Sequence, residues 1–477
     1  MKNDSGQIAP DMAAISPITG NLKWDGLHSH HLYYAAFAIF CGLFLSIIDS
    51  TICNVALPTM ADQLGITSSQ SIWVINSFQL IVVMTLLPFA SIGEQKGYKR
   101  LYVWGTAIFT VGSLLCALSE SLSSLVISRI IQGLGSAMMM SINPSLVRII
   151  YPKRLLGRGL GLNATVIALA SVAGPSLSAA ILSVASWPWL FAINIPLGIV
   201  TFVLAWKFLP DNPVHIVGQR FKWKEAVLNI ATFGLLIGSL EAYSHDVKLQ
   251  WIFIGLAIFI IVGYSYVKIQ LNEKYPILPF DLLRIPIFSM SIATSILSFM
   301  AQMLGLVAMP FMLVSTFNFN PVETGLIMTA WPLVIVIVGP VAGFLIGKIH
   351  SGLLGGIGLA ILGTGCFLLA FIPAGTGYAG IIWRLMLCGM GFGMFQSPNN
   401  HLIMTSGPTQ RAGSAGGMQA TARLTGQNVG AALVALIFHV SGPTAAHDAM
   451  FVAGILAAAG AVCSLLRLEV KNSPSHD

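Results

Sequence analysis

The sequence predicts an all-α integral membrane protein with about fourteen transmembrane helices, from its charge content, its hydropathy and the length of its apolar runs. Of its 477 residues, 56% are hydrophobic and only 9% are charged, whereas a soluble domain carries about 25% charged residues. The mean hydropathy is +0.82. This composition excludes a soluble globular protein, which needs charge to cover its surface, and a disordered chain, which is far less apolar.

Apolar runs of membrane-spanning length follow one another along almost the whole chain. A helix needs about 20 mostly apolar residues to cross a bilayer, and the segments between the runs are too short to form a soluble domain. The expected spans are approximately 33–57, 70–92, 101–119, 122–144, 159–183, 189–209, 224–243, 250–270, 287–314, 324–347, 353–373, 379–400, 414–439 and 448–466.

The first six and the last six spans have the pattern of two related halves. Their loops have similar lengths, and the loop string at 90–100 has a faded counterpart at 343–350. Duplicated halves with a site between them are the usual plan of secondary transporters. We therefore expect a disordered cytoplasmic tail over 1–32, a six-helix half over 33–210, a loop with two linking helices over 211–285, a second six-helix half over 286–467 and a cytoplasmic tail over 468–477.

The distribution of lysine and arginine predicts that both termini lie in the cytoplasm. An even number of spans places the termini on one side, and basic residues concentrate in cytoplasmic loops. In this orientation Lys248 lies outside, and Arg129, Arg384 and Arg423 lie within spans. The net charge of +7 then reflects topology and not nucleic-acid binding. The cytoplasmic segments hold the other twenty bases: Lys2, Lys23, Lys96, Lys99, Arg100, Arg148, Lys153, Arg154, Arg158, Lys207, Arg220, Lys222, Lys224, Lys268, Lys274, Arg284, Lys348, Arg411, Arg467 and Lys471.

Motifs for catalysis, metals and nucleotides are absent from the sequence. It contains no phosphate-binding loop, so ATP does not drive the chain directly, and no nucleophile elbow or zinc-type histidine spacing. We therefore expect no enzyme activity, no metal and no cofactor. Six cysteines are scattered through apolar runs without metal-ligand spacing, and we interpret them as packing residues: Cys41, Cys53, Cys116, Cys366, Cys388 and Cys463.

Five strings, in the right order, resemble the motifs of one transporter family. They are Asp49-x-Thr51-x-x-Asn54-Val-Ala-Leu-Pro58 in span 1, the loop string from Ala90 to Arg100, Arg129-x-x-Gln132-Gly133 in span 4, Gly174-Pro175 in span 5 and the string from Trp187 to Gly198. On these motifs the chain resembles the major facilitator superfamily, specifically its fourteen-helix drug–proton antiporter branch, and within it little-characterised enterobacterial members. The resemblance covers about residues 35–467 and implies the major facilitator fold, with two six-helix halves and two linking helices. Glu94 and Gln95 depart from the acid and the arginine of the loop motif.

Asp49 is the acid deep inside a span, and it is the first candidate for proton coupling. Placing a carboxylate in hydrocarbon costs at least about 2.5–3.5 kcal/mol on insertion scales, and burial favours its neutral form. Such a carboxyl can exchange a proton near neutral pH. A fixed ion pair, or a helix-capping bond to Thr51, is the alternative.

Arg129 is the second candidate for proton coupling. Its guanidinium stays protonated and needs a partner inside the membrane. It can hold Asp49 or a water network, and so tune the proton affinity. The alternative is a polar staple between helices.

Two further groups of residues are candidates for gating. The turn after span 2 carries basic residues that fix orientation, and the resemblance implies a charge latch between helix ends there. Gly174 and Pro175 lie mid-span, where a proline bends a helix, and this suits either a rocking gate or a passive kink. The gating candidates are Glu94, Gly97, Lys99, Arg100, Gly133, Gly174 and Pro175.

The substrate cavity is predicted from polar and aromatic residues inside spans. Aromatic faces attract organic cations, and polar side chains in spans tend to face a pore, although many such residues serve only packing. The candidates are Gln79, Gln302, Trp331, Asn399, Asn400 and Arg423.

These observations together predict a proton-driven exporter of lipophilic, cationic drugs or toxic compounds, which works by alternating access in the bacterial cytoplasmic membrane. The expected partners are a small-molecule substrate, protons and membrane lipid, with no nucleic acid, and the chain is expected to be a monomer. A dedicated carrier of one metabolite is the alternative, and a non-transporting membrane sensor is an alternative of another class.

Overall fold

The structure is a computed structural model that describes residues 26–27, 29–211, 221–242, 248–272, 278, 280–407 and 412–468. Most of the tail expected over 1–32 and nearly all of the tail expected over 468–477 lie outside the described residues. The same is true of residues 212–220, in the loop before the linking helices.

The described chain is built almost entirely from α-helices, as the apolar runs predict. Their bounds are α1 Ser29–Leu64, α2 Ser68–Ser71, α3 Trp73–Lys96, α4 Tyr98–Ala117, α5 Leu122–Ile150, α6 Leu156–Leu182, α7 Trp189–Ala192, α8 Asn194–Phe208, α9 Trp223–Ala242, α10 Leu249–Asn272, α11 Pro286–Ser315, α12 Pro321–Met328, α13 Ala330–Leu345, α14 Ser351–Ala370, α15 Tyr378–Thr405, α16 Ala412–Ser441 and α17 Ala445–Leu466.

Twelve stretches among the described residues are long and apolar enough to cross a membrane, by length and composition. The expected number of fourteen is not confirmed by this measure. The difference has two sources: α9 is not among the twelve, and one stretch, Ala415–Leu466, contains both α16 and α17. A short 3-10 turn, Gly442–Thr444, separates these two helices.

The helices cross the bundle between two faces. We call the face at which α1 begins the proximal face, and the face at which α1 ends, near Leu64, the distal face. The Leu27 amide donates to the Ile150 carbonyl at 2.9 Å, so α5 ends at the proximal face. Three helices that begin at the distal face start with reciprocal capping boxes, at Thr67, Ser121 and Asn320, and these caps satisfy amides that the helix itself leaves unbonded.

The two sets of helices on either side of the linking pair repeat one packing pattern. In the first set α1 packs against α6 and α8, α3 against α5, and α4 against α5. In the second set α11 packs against α16 and α17, α13 against α15, and α14 against α15. The same pairing of helices therefore occurs twice in the chain.

The linking helices α9 and α10 pack against each other, and α9 also touches both sets through α3 and α16. Asn229 in α9 donates from Nδ2 to the Met84 carbonyl of α3 at 2.8 Å. Tyr266 in α10 donates its hydroxyl to Asn229 Oδ1 at 3.1 Å. One buried amide therefore attaches the linking pair to the first set of helices.

The two sets are bonded to each other near the distal face. Ser69 Oγ donates to the Ala435 carbonyl at 3.0 Å. The hydroxyls of Ser176 in α6 and Thr329, between α12 and α13, lie 2.8 Å apart. Gly325 of α12 lies against the Pro175 carbonyl so closely that a Cβ would not fit without movement. Opening of this face would require these contacts to separate.

Candidate functional site

Asp49 lies in the middle of α1, 1% exposed, and accepts hydrogen bonds from three side chains. Its Oδ2 accepts from Arg129 Nη1 in an ion pair. Its Oδ1 accepts from Gln132 Nε2 at 2.9 Å and from Asn194 Nδ2 at 2.7 Å. Both carboxylate oxygens therefore have partners, and the charged form is compensated within the bundle.

Arg129 is fully buried, and Nε and Nη1 of its guanidinium have hydrogen-bond partners, whereas Nη2 has none among the described residues. Besides Asp49 it donates from Nη1 to Gln132 Oε1 at 2.6 Å and from Nε to the Val74 carbonyl at 2.8 Å. Its guanidinium carbon lies 4.2 Å from the ring centre of Phe78 and 5.5 Å from that of Phe191. Aromatic faces stabilise a desolvated cation, so these rings, the carbonyl and the carboxylate hold the charge in place.

Gln132 of α5 connects Asp49 to a further helix, α4. Its Nε2 donates to Asp49 Oδ1 and also to Ser113 Oγ of α4 at 2.8 Å. The cluster of Asp49, Arg129, Gln132, Asn194 and Ser113, here called the Asp49 cluster, joins α1, α4, α5 and α8, and through the Val74 carbonyl it reaches α3. Side chains of four helices, and a backbone carbonyl of a fifth, are therefore connected around Asp49.

The alternative of a capping bond between Asp49 and Thr51 is not what the structure contains. Thr51 Oγ1 donates to the carbonyls of Ile47 and Ile48, at 3.2 and 3.0 Å, within its own helix. Its side chain also faces Gly174 of α6. Thr51 therefore serves helix contact, and Asp49 is bonded to other helices.

Chemically, the Asp49 cluster can respond to a proton. Adding one proton to Asp49 neutralises the carboxylate, removes the ion pair and converts one acceptor oxygen into a donor. Arg129 stays charged and then lacks its counterion, which is costly inside a bundle. Uptake of one proton at this carboxyl therefore changes the bonding of α1, α5 and α8 together.

The sequence indicated two members of the Asp49 cluster and missed three. Asp49 and Arg129 were expected to form a proton-coupling pair, and the structure bonds them to each other. Gln132 and Asn194 belong to two of the family motifs, but those motifs do not indicate that both side chains bond Asp49. Ser113 gave no sequence signal, because a serine in an apolar span is ordinary.

The loop candidates for gating lie at the proximal face. Gly97 ends α3 and precedes α4 with a φ of 103°, a conformation that favours glycine. Glu94 is exposed and forms no ion pair with a described residue. Lys99 and Arg100, in the first turn of α4, form none either. The expected charge latch is therefore not closed in this conformation.

The small residues among the gating candidates lie where helices touch. A Cβ on Gly133 of α5 would collide with Ile81 of α3, and one on Gly174 would collide with Thr51 of α1. Pro175, the next residue in α6, offers its carbonyl to the contact with Gly325. Gly174 and Pro175 thus lie at the junction of α1, α6 and α12.

The cavity candidates do not form one cluster. Gln79 is 8% exposed, and its carbonyl accepts from Asn428 Nδ2 of α16 at 3.3 Å. Gln302 and Asn400 are partly exposed. Trp331 is fully buried between Gly305 of α11 and Gly389 of α15, so it packs inside the second set of helices in this conformation.

Asn399 belongs to a second polar cluster at the proximal ends of α11, α15 and α17. Its Oδ1 accepts from Arg467 Nη1 at 2.7 Å, and its Nδ2 donates to Ser295 Oγ at 2.8 Å. Arg467, expected in a cytoplasmic segment, is only 2% exposed, because Ser291 and Ser464 also accept from its guanidinium. Burial lowers the pKa of Arg467 to about 10, so it stays charged at neutral pH.

Arg423 lies inside α16 and is partly exposed. It forms no ion pair and donates no hydrogen bond to a described residue. A guanidinium at this depth without a described counterion is unusual, so Arg423 stays a candidate for the cavity.

All six cysteines are free; Cys41 and Cys463 are partly buried, and the other four are buried. Among the described residues no group of His, Cys, Asp and Glu is arranged to hold a metal.

Comparison with known proteins agrees with this architecture. Residues 39–431 match the family model of the Major Facilitator Superfamily. A solved structure of a POT family transporter in complex with 5-aminolevulinic acid superposes with a TM-score of 0.72 at 15% sequence identity, covering 94% of this chain and 97% of that chain. That likeness supports the fold alone.

Three curated relatives align over most of their length. The uncharacterised transporter YebQ of Escherichia coli (strain K12) is 48% identical, over 94% of this chain and 98% of the relative. The riboflavin transporter RibZ of Clostridioides difficile (strain 630) is 30% identical, over 83% and 86%. The multidrug export protein EmrB of Haemophilus influenzae (strain ATCC 51907 / DSM 11121 / KW20 / Rd) is 26% identical, over 87% and 82%. The chain is therefore a membrane transporter, not an enzyme, and it belongs to the major facilitator superfamily.

Proposed function

We propose that the chain is a proton-driven secondary transporter that exports lipophilic compounds, cationic drugs or toxic compounds among them, by alternating access. It acts in the bacterial inner membrane with both termini in the cytoplasm. We further propose fourteen spans, with six-helix halves over 33–210 and 286–467 and two linking helices between them. The distribution of lysine and arginine supports this orientation, and the repeated helix packing supports the two halves.

The single observation that carries the proposal is the buried ion pair of Asp49 and Arg129. A charge pair in the membrane is costly to form and is retained mostly where it serves function. Within the described spans this pair brings an acid and a base together. Since a proton on Asp49 removes the attraction, the pair can act as the proton-coupling element.

The cycle follows from what the proton changes. Asp49 takes up a proton when the distal face is open, Arg129 loses its counterion, and α1, α5 and α8 rearrange as the emptied carrier returns. Asp49 releases the proton to the cytoplasm at the proximal face, and the ion pair forms again with cargo bound. The contact of Ser176 with Thr329 then parts as the distal face opens for release.

Export of lipophilic compounds is the direction that the EmrB-type relative supports, because its name describes multidrug export. Both oxygens of Asp49 already accept hydrogen bonds. A cation is therefore bound elsewhere in the cavity, and Asp49 acts through the proton and not as a direct ligand of the cargo.

The test is flux in proteoliposomes with an imposed pH gradient, with ethidium as the cationic probe. Wild-type protein should accumulate ethidium against its concentration gradient only when the pH gradient is present, and should exchange ethidium across the membrane without one. Asp49→Asn keeps the shape but cannot release a proton, so pH-driven flux should vanish while exchange of ethidium without a gradient persists. Asp62→Asn, an exposed acid at the end of the same helix, is the matched control. Full pH-driven flux in Asp49→Asn would overturn the proposal.

A dedicated carrier of one metabolite is the second candidate, and the 30% identity to a riboflavin transporter favours it. Flux measured in the same proteoliposomes with riboflavin, ethidium and an organic anion distinguishes the dedicated carrier from the exporter. Flux of riboflavin alone supports the dedicated carrier, and flux of several unrelated lipophilic compounds supports the exporter.

A further inference from the structure

A groove lies on the outside of the bundle where α4 and α8 meet, next to the proximal face. Its volume is about 440 Å³. Gly198 of α8 lets the two helices approach closely at Thr110 of α4, and the groove opens from this contact towards the helix ends. Both walls are candidate membrane spans, Tyr98–Ala117 and Trp189–Phe208, so its open side faces lipid.

The groove is charged at one end and apolar at the other. On α4 its lining begins at Arg100 and continues through Trp104 to Ala107, positions i, i+4 and i+7 on one face of the helix. The rise from Arg100 to Ala107 is about 10 Å. On α8 the lining runs from Trp206 to Phe202. The groove therefore extends from the membrane surface into the hydrocarbon layer, parallel to a lipid molecule.

The side-chain charges at the charged end of the groove have no ion-pair partners among the described residues. Lys99, Arg100 and Asp211 line this end, and none of them forms an ion pair with a described residue. Two bases against one acid leave the end positive. Trp104 and Trp206, each 66% exposed, flank it, and tryptophan is typical of the membrane–water interface.

We propose that this groove binds one anionic phospholipid. The lipid phosphate contacts Lys99 and Arg100, and a headgroup hydroxyl, as in phosphatidylglycerol, donates to Asp211. One acyl chain lies along Ala107 and Phe202 between the two tryptophans. Charge complementarity selects an anionic lipid, since a basic residue near an anionic membrane surface attracts it by about 1 kcal/mol, and the apolar wall gives a free phosphate nothing to bind.

A bound lipid at this position has a consequence for transport. Lys99 and Arg100 are among the gating candidates of the turn after α3, so the lipid phosphate neutralises the bases of that turn. The occupancy of the groove thereby connects the composition of the inner leaflet to the gating turn.

The experiment is native mass spectrometry of the detergent-purified full chain, titrated with phosphatidylglycerol. One tight lipid is expected on the wild type. Lys99→Gln/Arg100→Gln should bind it about thirty-fold more weakly, about fivefold for each base. Lys268→Gln/Lys348→Gln removes two exposed bases elsewhere and should bind as the wild type does. An equal loss in both double variants would overturn the site, because net charge alone would then explain binding.

Three further arms test the lipid and the apolar wall. Phosphatidylethanolamine should compete poorly with phosphatidylglycerol, and equal competition would overturn the requirement for an anionic headgroup. Glycerol 1-phosphate should not compete, and competition by it would overturn a lipid as the ligand. Trp206→Ala should weaken phosphatidylglycerol binding about tenfold. Trp223→Ala removes a tryptophan of similar exposure at the start of α9 and should not. Unchanged binding in Trp206→Ala contradicts the proposed acyl-chain contact.

Discussion

Asn194, at the start of α8, donates its side-chain amide to Asp49 of α1 at 2.7 Å, across 145 residues of sequence. The amide reaches the same carboxylate oxygen as Gln132. Its own Oδ1 is buried and has no hydrogen-bond partner among the described residues, so the side chain contributes to the Asp49 cluster only as a donor. Asn194 therefore stabilises the charged form of Asp49 and bonds α8 directly to α1.

Replacing Asn194 by alanine should move the pH dependence of transport. The variant removes one of the three donors that stabilise the deprotonated, ion-paired state of the Asp49 cluster. The protonated state depends less on this donor, so the midpoint of the pH–flux curve should shift to higher pH. The loss of one buried hydrogen bond to a charged group also costs about 1.5–3 kcal/mol of stability. Flux in proteoliposomes from pH 5.5 to 8.5 measures the midpoint. A buried amide without contact to Asp49, Asn229→Ala, is the control and should leave the midpoint unchanged.

Removing both members of the ion pair should destabilise the protein less than removing Arg129 alone. Arg129→Leu leaves the Asp49 carboxylate buried without a counterion, a change that costs about 3–5 kcal/mol. In Asp49→Asn/Arg129→Leu no charge remains in the Asp49 cluster, and much of that stability should return. Thermal unfolding in detergent measures the difference, and neither variant should show pH-driven flux. Equal unfolding temperatures for the single and the double variant would contradict a direct interaction.

The sequence predicted the helical membrane fold and the acid–base pair, because both depend on rare or extreme composition. A charge inside an apolar span is conspicuous, and Asp49 and Arg129 were found for that reason. The partners were not found, since Ser113 looks like any serine in a helix, and the distance between Asn194 and Asp49 depends on how α8 packs against α1. Arg467 was expected in a cytoplasmic segment because it follows the last span, yet it is buried, since Asn399 and three backbone or hydroxyl acceptors bind its guanidinium.

A covalent link between Ser176 and Thr329 should stop transport. Their hydroxyls are 2.8 Å apart, and they join α6 of the first set to the α12–α13 junction of the second. In Ser176→Cys/Thr329→Cys with the six native cysteines replaced by alanine or serine, oxidation should abolish flux and a reductant should restore it. The single variant Ser176→Cys should be insensitive to oxidation. If the cross-linked protein transports as fast as the same variant after treatment with a reductant, these helices do not separate during the cycle.

The unpaired guanidinium of Arg423 should set the charge preference of the cavity. It lies within α16, partly exposed and without a described partner, so its field repels a cation and attracts an anion at the distance of a bound cargo. Arg423→Gln should therefore raise the apparent affinity for cationic compounds and lower it for anionic ones, by about tenfold if the cargo lies within about 10 Å at an effective dielectric constant near 20. Arg384→Gln, whose guanidinium already bonds the Gly380 carbonyl and lies over Trp383, is the matched control. The two variants remove the same charge. If the preference for cationic over anionic compounds shifts equally in both, the effect comes from net charge and not from the position of Arg423.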